Sequence, residues 1–399
     1  MNVSAALDWL FSTQFFGIKL GLDNTEKLLA AAGADRINAT VVHVAGTNGK
    51  GSTCAMIEAL ARAQGYVTGL FTSPHLVDFS ERIRVNGNMI TPDALAEEIS
   101  FLKQLAEGWE QPPTFFELAL AVALRHFRKN NVNFIILETG LGGRLDATNA
   151  VPKDIAVLAP IGLDHQQYLG DTLEEIAAEK AAIIAPGKPS VTAVQHPGVM
   201  AAQNRRSPLT IARADRKTPM PSLPGAHQRE NAALALETMR RLHALPSPAA
   251  AAAALARVQW PGRFERLETP PLVLDGAHNE HAARVLAATW KEEFPGRKAA
   301  LVFAASADKH IREMIPVLRE IAGEWHLVPC TSPRIMPAQE MAALLAGQET
   351  GPVFIHSTLP DGLQAALASP FPSLAAGSLF LLGDLKALLR HAEKRSTAQ

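Results

Sequence analysis

The feature of the sequence that most constrains its fold is a repeated alternation of short β-branched runs with longer helical patterns. The predicted strands in the first half of the chain are TVVHVA, YVTGLF, VNFIILE, IAVLAP and PSVTAV. The segments between them, such as STCAMIEALARAQ and FFELALAVALRHFRK, have the spacing of amphipathic helices. Nearly all-apolar strands that alternate with helices are typical of a parallel sheet covered on both faces. The sequence therefore predicts an α/β fold.

The alternation is interrupted once, near VQWPGRFERLETPP, where prolines and charges suit a linker. A second series of predicted strands then follows: LVLDGAHN, AALVFAA, WHLVPC, VFIH and SLFLLG. A chain of 399 residues is long enough for two or three domains of ~100–200 residues each. We predict a phosphate-loop-type domain with a mostly parallel sheet over 1–266, and a smaller Rossmann-like α/β domain over 267–399.

Composition narrows the possible partners and locations. The 38 Lys and Arg against 39 Asp and Glu give a net charge of −1, so nothing in the charge favours nucleic acid or an anionic membrane as a partner. Cys54 and Cys330 form no recognisable pair. The N-terminus does not resemble a secretion signal, and no run of ~18 apolar residues could span a bilayer. We expect a soluble, cytoplasmic protein, and a monomer, since no pattern indicates an interface.

The stretch HVAGTNGKGST, residues 43–53, has the character of a phosphate-binding loop. It does not match the commonest pattern, because Val44 stands where that pattern needs glycine and Gly51 stands where it needs Ser or Thr. Its glycines nevertheless allow backbone N–H groups to surround a phosphate at the start of a helix, and Lys50 can reach a β- or γ-phosphate. The alternative is a glycine-rich turn with an exposed lysine. A GTPase is not favoured, because no Asn-Lys-x-Asp sequence occurs.

Polar residues follow two other predicted strands. Glu138 ends VNFIILE, and Asp164 and His165 come shortly after IAVLAP. Ligands of open parallel sheets lie beyond the carboxyl ends of strands, so we expect these side chains to share one edge with the phosphate loop. Carboxylate oxygens suit Mg²⁺, which keeps several waters and takes substrate phosphates as ligands. A histidine ligand is less usual for Mg²⁺, so a turn histidine is the alternative for His165.

Lys180 shares one face of a predicted helix with the isoleucines of the segment EEIAAEKAAII. From the residues alone, its stem could cover apolar surface while its head group stays in water, or it could pair with Glu175 or Glu179. A desolvated lysine is the other possibility, because burial lowers the pKa and the neutral amine can then take up CO₂.

Two further features have ordinary explanations when taken alone. Asp275 and His278 follow the strand PLVLD, where an aspartate beside a glycine can simply cap a turn. Phe115 and Phe116 begin an apolar helix, and such residues belong to a core more often than they stack on a cofactor.

Seven motifs, in order, resemble the dihydrofolate synthase/folylpolyglutamate synthase family, whose members are relatives of the Mur ligases. They are GTNGKGST, TSPHLVDFSERIRVNG, ETGLGGRLDATN, LDH with EKAAIIAPGKP, LPGAHQRENAALAL, PGRFE and LDGAHN. The resemblance extends from about residue 18 to residue 382. Seven motifs in a fixed order are far more specific than any one of them.

The resemblance implies roles for particular residues. Those implied to bind ATP are Thr47, Asn48, Gly49, Lys50, Gly51, Ser52, Asn231, Arg263 and Asp275. The implied metal ligands are Ser73, Glu138, His165 and Lys180, the last as a carbamylated lysine that helps to hold a second Mg²⁺. Those implied to bind the pteroate or folate acceptor are Lys19, Leu20, Gly21, Thr114, Phe115, Phe116, Glu117, Leu145, Asp146 and Ala147. His278 is implied to lie near the phosphates, and we count it with Lys50 and Lys180 as catalytic.

The activity implied by the resemblance is ATP-dependent amide ligation. L-Glutamate would be joined to dihydropteroate, or to the glutamate tail of a reduced folate, through an acyl phosphate, with Mg²⁺ and a monovalent cation as candidate cofactors. Alternatives are a folylpolyglutamate synthase without dihydropteroate use, a Mur-type cell-wall ligase and a non-catalytic nucleotide-binding module. Two segments depart from the family pattern: the short, basic stretch 195–222, and FAASADKHI, where Asp-Lys-Asp is the more usual ending.

Overall fold

The computed structural model describes residues 1–16, 21–348 and 351–390, which form two compact units. The first unit comprises Met1–His75, Phe79–Pro221 and Arg229–Val258. The second comprises Leu76–Asp78, Ser222–Gln228 and the chain from Gln259 onwards. Each unit is therefore built from separate stretches of the sequence.

The first unit is organised around an eight-stranded sheet in the order β4-β3-β2-β5-β1-β6-β7-β8. Its strands are β1 Thr40–Ala45, β2 Thr68–Phe71, β3 Ile83–Val85, β4 Asn88–Met89, β5 Phe134–Glu138, β6 Ile155–Leu158, β7 Ser190–Ala193 and β8 Thr210–Ala212. The six strands from β2 to β8 are parallel, and the hairpin β3–β4 pairs antiparallel with β2.

Helices cover this sheet. They are α1 Val3–Ser12, α2 Asp23–Ala31, α3 Lys50–Ala63, α4 Pro92–Leu105, α5 Phe115–Lys129, α6 Gln166–Leu169, α7 Leu173–Ala181, α8 Pro197–Asn204, α9 Ala226–Arg241 and α10 Pro248–Leu255. Short 3₁₀ helices occur at Thr13–Phe16, Phe79–Arg82 and Ala147–Ala150. The central strands are buried along their lengths, as expected for strands covered on both faces.

The second unit contains a six-stranded sheet in the order β13-β12-β11-β14-β10-β9. Its strands are β9 Glu265–Glu268, β10 Pro271–Leu274, β11 Ala299–Phe303, β12 Ala322–Leu327, β13 Val353–Ile355 and β14 Ser373–Ala376. Its helices are α11 Glu280–Glu293, α12 Ile311–Leu318, α13 Ala338–Leu345, α14 Leu359–Leu367 and α15 Leu379–Arg390. All strand pairs are parallel except the edge pair of β9 and β10.

The predicted fold class, two mostly parallel α/β sheets with the smaller one second, is confirmed. Two local predictions were wrong. The run SLFLLG is the start of α15, and the strand is the preceding SLAA; a short apolar run does not by itself distinguish a buried strand from a buried helix. The expected linker contains β9, which pairs with β10.

No helix in the part of the chain that the structure describes is long and apolar enough to cross a membrane.

Candidate active site

The polar residues singled out in the first unit follow four neighbouring strands. The order β2-β5-β1-β6 places the carboxyl ends of these parallel strands side by side. Ser73 follows β2, Glu138 ends β5, the phosphate loop follows β1, and Asp164 lies beyond β6. The expectation that they share one sheet edge is therefore met by the topology.

The phosphate loop runs from the end of β1 into α3, which begins at Lys50. The Nζ of Lys50 donates to the carbonyl oxygens of Gly46, at 3.1 Å, and Thr47, at 3.2 Å, so the loop curls around the ammonium group. The first N–H groups of a helix have no partner within it, so the start of α3 presents donors and partial positive charge. Positive charge and backbone donors at one turn are what a phosphate group requires.

Not every atom of the loop faces outward. The backbone N–H groups of Thr47 and Asn48 both donate to the carbonyl of Pro160, at 2.9 and 3.2 Å. The Thr47 hydroxyl donates to the Gly162 carbonyl at 3.0 Å and accepts from the Gly162 N–H at 3.1 Å. Thr47 therefore braces the loop against the segment after β6, and sequence reasoning gave no sign of this role.

Gly49 and Asn231 lie against each other. Gly49 has a φ of +81°, in the left-handed region, and a Cβ placed there would stand 2.7 Å from Oδ1 of Asn231. Only glycine satisfies both conditions without strain. The structure thus brings Asn231, on α9 and nearly fully buried, to the phosphate loop, although the two are 182 residues apart in the sequence (231 − 49 = 182).

Glu138 connects two of the strand ends. Its Oε2 accepts a hydrogen bond of 3.2 Å from the backbone N–H of Ser73. Burial raises the pKa of the Cys54 thiol, and the charges of Glu138 and Lys50 also act on it, with opposite signs. The carboxylate and the loop lysine are therefore close enough to influence one buried group.

His165 has an unusual backbone conformation. Its φ of 53° is in the left-handed region, rare for a residue with a side chain, and it stands at the N-cap of α6. Its N–H donates to Oδ1 of the buried Asp164 at 2.8 Å. Such outliers cluster at functional sites because the surrounding structure has to hold them in place.

Lys180 is buried on α7, within the apolar stripe of that helix. Burial, and after it the positive charge of Lys50, lower its pKa to about 7, while the charges of Asp164 and Asp146 act in the opposite direction. Both alternative partners are engaged elsewhere, since Glu179 pairs with Arg144 at 2.9 Å and Glu175 completes the capping box of α7. The desolvated lysine is the interpretation that the structure favours.

The donor set at this edge is compatible with Mg²⁺. Among residues 1–16, 21–348 and 351–390, no group of three or more His, Cys, Asp and Glu could hold a metal ion by itself. A buried carboxylate, Glu138, with a histidine and a lysine able to become a carbamate leaves most positions to water and phosphate. That is the usual pattern for Mg²⁺, which dehydrates reluctantly.

The segment proposed for the acceptor has a mixed structure. Thr114 and Glu117 form the capping box of α5, and Glu117 also accepts 2.8 Å from the hydroxyl of Thr25, so its carboxylate is committed within the protein. Phe115 is buried and stacks on Phe11 with ring centroids 5.5 Å apart, as the core interpretation predicted.

Phe116 differs from its neighbour, because its side chain is only half-buried. Its ring packs on the backbone of Gly140, where a Cβ would fall 2.7 Å from the ring. Phe116 therefore lies close to the chain just beyond Glu138 and is the better placed of the two rings to contact a ligand. Gly21 is described as a left-handed glycine, whereas Lys19 and Leu20 lie outside the described residues.

Asp146 is buried, and both of its carboxylate oxygens accept hydrogen bonds. Oδ2 accepts from the N–H groups of Gly140 and Leu141, each at 2.8 Å, and Oδ1 accepts from the N–H and hydroxyl of Thr148. Burial raises the pKa of Asp146, and these hydrogen bonds counteract that rise. Leu145 is half-buried and Ala147 is buried, so this segment is well ordered around a single carboxylate.

Three of the candidate residues lie together in the second unit. Asp275 accepts hydrogen bonds of 2.9 Å from the backbone N–H groups of Phe264 and Ala277. Its pKa is raised by burial and lowered by the nearby Arg263, whose Nη1 donates to the Gly262 carbonyl at 3.0 Å. Asp275 thus caps its own turn through Ala277 and also holds the backbone next to Arg263 through Phe264, so the turn-cap interpretation is correct.

His278 lies two residues beyond this turn. Its Nδ1 donates to the carbonyl of Gly276 at 2.8 Å, since a carbonyl can only accept. In the neutral ring the hydrogen is therefore on Nδ1, and Nε2 carries the lone pair. His278 can accept a proton, or donate one, only through Nε2.

The two parts of the chain match known families separately. Residues 44–217 match the Mur ligase middle domain, and residues 262–373 match the glutamate ligase domain of Mur ligases. The chain is 35% identical to the dihydrofolate synthase/folylpolyglutamate synthase of Bacillus subtilis, over 96% of this chain and 98% of that protein. The chain belongs to the dihydrofolate synthase/folylpolyglutamate synthase family.

Solved structures agree with this family. The E. coli FolC protein in complex with DHPP and ADP superimposes with a TM-score of 0.88 at 28% identity, covering 98% of both chains. A bifunctional folylpolyglutamate synthase/dihydrofolate synthase with Mn, AMPPNP and L-glutamate bound gives 0.85 at 28% identity, also covering 98% of both chains. Members of the family are ATP-dependent glutamate ligases, so the predicted class of enzyme and its use of ATP with a divalent metal ion are confirmed at the level of the family.

Proposed function

We propose that this chain uses ATP and Mg²⁺ to join L-glutamate to dihydropteroate and to the glutamate tail of reduced folates. The observation that carries the proposal is the phosphate loop closed around Lys50, at the sheet edge that also bears Glu138. The full-length similarity to a protein in complex with DHPP and ADP supports the choice of acceptor and nucleotide. The predicted cytoplasmic location is part of the proposal, and the monomeric state stays a prediction.

The chemistry follows from the weakness of a carboxylate as an acylating agent, since its leaving group would be oxide. An oxygen of the acceptor carboxylate attacks the γ-phosphorus of ATP, ADP leaves, and an acyl phosphate forms. The α-amine of L-glutamate then attacks the acyl carbon, a proton is lost from the nitrogen, and inorganic phosphate leaves as the amide forms. Lys50 and the donors at the start of α3 stabilise the negative charge on the transferring group.

Glu138, Ser73, His165 and Lys180 are the residues that would hold the metal. A bound Mg²⁺ offsets the charge of the phosphates and orients them. Because the pKa of Lys180 is about 7, a large fraction of its amine is neutral near neutral pH and can add CO₂, with loss of one proton from the nitrogen to give a carbamate anion. The resulting carbamate replaces a cation that repels Lys50 with an anion that attracts both Lys50 and a metal ion.

The proposal also assigns roles to two residues of the second unit, Arg263 and His278. The guanidinium of Arg263, held by the turn that Asp275 fixes, suits a phosphate or carboxylate group. Nε2 of His278 can accept or return a proton during amide formation. Thr47, Asn48, Gly49, Gly51, Ser52 and Asn231 remain proposed contacts of ATP, and the segments around Gly21, Phe116 and Leu145 remain proposed contacts of the acceptor.

The test is ADP release by the purified protein with ATP, Mg²⁺ and L-glutamate, comparing dihydropteroate with tetrahydrofolate as acceptor. We expect release with both.

Lys50→Ala should lower the rate by about 10²-fold or more, because a donor aimed at the developing charge is lost, with little change in thermal stability. Lys188→Ala, which removes a surface lysine paired with Asp154, is the matched control. Removing dissolved CO₂ should also slow the wild type, and bicarbonate should restore it.

Other outcomes identify the alternatives. Release with tetrahydrofolate alone would leave a chain-extending enzyme that does not use dihydropteroate. Release with neither acceptor, but with a cell-wall peptide precursor, would favour a Mur-type ligase. ATP binding without ADP release under any of these conditions would indicate a non-catalytic module. Full activity of Lys50→Ala would contradict the role given to that lysine.

A further inference from the structure

A fully buried histidine lies in the strand that leads to the phosphate loop, and the proposed reaction does not use it. His43 is in β1, three residues before Gly46. Burial and the positive charge of Lys153 hold the pKa of His43 well below its usual range, so the ring is neutral. Burying a polar ring in a largely apolar strand costs free energy unless the ring is hydrogen-bonded.

The hydrogen bond between the side chains of His43 and Thr148 has a definite direction. Its Nε2 lies 2.7 Å from Oγ1 of Thr148. The Thr148 hydroxyl also contacts Oδ1 of Asp146, which already accepts the N–H of Thr148, while Oδ2 accepts two further N–H groups. Three N–H donors favour the ionised carboxylate, so the hydroxyl must donate to Asp146 and accept from Nε2–H of His43.

This series of hydrogen bonds ends at the segment that follows Glu138 in the sequence. We name residues 139–147, between Glu138 and Thr148, the acceptor loop. The two N–H groups that donate to Oδ2 of Asp146 belong to Gly140 and Leu141. The half-buried ring of Phe116 packs on the backbone of Gly140. The hydrogen bonds therefore run from β1, through Thr148 and Asp146, to the backbone of the acceptor loop.

We propose that His43 and Thr148 are positioning residues that hold the acceptor loop in register with the strand leading to the phosphate loop. Neither residue needs to touch a substrate. Their effect is to keep Asp146 oriented so that it fixes the loop's two N–H groups and, through Gly140, the position of Phe116. The part concerning the acceptor rests on the proposed function, and the part concerning loop order does not.

A purely structural role would be served as well by apolar residues. Replacing buried polar partners by apolar groups of similar shape is often neutral for stability or favourable. A series of hydrogen-bonded side chains, by contrast, fixes the position of the loop, because a hydrogen bond is directional and hydrophobic contact is not. A replacement that preserves stability yet loosens the loop would thus separate positioning from packing.

The test compares His43→Leu and Thr148→Val with Thr148→Ser, which keeps the hydroxyl. Hydrogen exchange should be about tenfold faster at Gly140 and Leu141 in Thr148→Val and several-fold faster in His43→Leu, since a directional partner is lost. The KM for the acceptor should rise by a similar factor, and the KM for ATP should stay within about twofold. Thr148→Ser should restore both quantities towards wild type. Thr238→Val, which removes another buried hydroxyl, bonded to Leu234, is the matched control.

Each outcome bears on the proposal. Wild-type exchange at Gly140 and Leu141 in both His43→Leu and Thr148→Val would overturn it, and so would equal effects in Thr238→Val. If Thr148→Val fails to fold, His43→Leu decides, because leucine is readily accommodated in an apolar strand. A wild type that turns over no acceptor would refute the proposed function, while hydrogen exchange would still decide whether the two residues hold the loop.

Discussion

At the scale of single residues, burial determines which charge a side chain carries here. Lys180 is brought to a pKa of about 7 and His227 to about 4, in each case mainly because burial penalises the charged form. For Lys180 the shift has a chemical use, since a neutral amine can form a carbamate. For His227 the shift lowers the stability of the fold in acid, because the unfolded chain binds a proton that the folded protein does not.

His227 therefore predicts a pH dependence of stability. Burial, Arg263 and His281 lower its pKa from 6.5 to about 4. Between these values the unfolded state binds a proton that the folded state does not, so stability falls as the pH is lowered from about 6.5 towards 4 and is unaffected above that range. The slope should be on the order of 1 kcal/mol per pH unit, reduced by partial exposure.

Urea unfolding at about pH 7.5 and about pH 5 measures this effect. His227→Gln should lose less stability than wild type on acidification, whereas His310→Gln, at an exposed position, should behave like wild type. An equal loss in wild type and His227→Gln would show that another group is responsible.

Residue roles were also the least predictable part of the site. The sequence led to the phosphate loop, Glu138 and the buried Lys180, because strand ends and an apolar stripe are visible in a pattern. The capping box of Thr114 and Glu117 is a local pattern that the sequence does contain, in the segment TFFE. The sequence gave no indication that Glu117 also accepts from Thr25, or that the Thr47 hydroxyl braces Gly162. These two contacts join residues distant in sequence, and local periodicity carries no information about them.

At the scale of elements, the helix that carries Lys180 depends on its first turn. Thr172 caps α7 by accepting from the N–H of Glu175 at 3.2 Å, and its own N–H donates to Oε2 of Glu175 at 3.0 Å. Thr172→Ala should cost about 1 kcal/mol of stability, and ADP release should fall several-fold because Lys180 is less firmly held. Thr91→Ala, which removes the cap of α4, should cost a similar amount without slowing ADP release.

The comparison is made by urea unfolding and initial rates on the same preparations. Equal rate losses in Thr172→Ala and Thr91→Ala would mean that the effect comes from general destabilisation. An unchanged rate in Thr172→Ala would mean that the end of α7 holds Lys180 without help from its start.

Element types were predicted more reliably than element boundaries. Apolar strands of β-branched residues, each followed by an amphipathic helix, identified the central strands of the first sheet and the strands β10 to β13 of the second, but not β14. SLFLLG was misassigned because its six apolar or small residues fit a buried strand as well as a buried helix, and Gly377, with a φ of +114°, marks the change of direction just before it. The edge strand β9 is polar and half-exposed, so it lacks the pattern that reveals a buried strand.

At the scale of the whole molecule, the division into units does not follow the sequence. A continuous boundary near residue 266 was the natural prediction, because sequence patterns reveal where alternation restarts. Two short segments from the first part of the chain, 76–78 and 222–228, instead belong with the second unit. These segments contain few residues and leave no periodic signal, so only the folded structure reveals them.

The short segment 76–78 makes this division testable. Leu76 and Val77 are buried in the apolar cluster of the second unit that includes Leu272 and Leu274 of β10. Leu76→Ala should remove about 2–3 kcal/mol from the stability of that cluster through lost contacts and a cavity. Hydrogen exchange in β10 and β14 should therefore become faster, while exchange in β1 changes little. Leu95→Ala, in the core of the first unit, should give the reverse pattern. Faster exchange in β1 than in β10 for Leu76→Ala would assign this segment to the first unit.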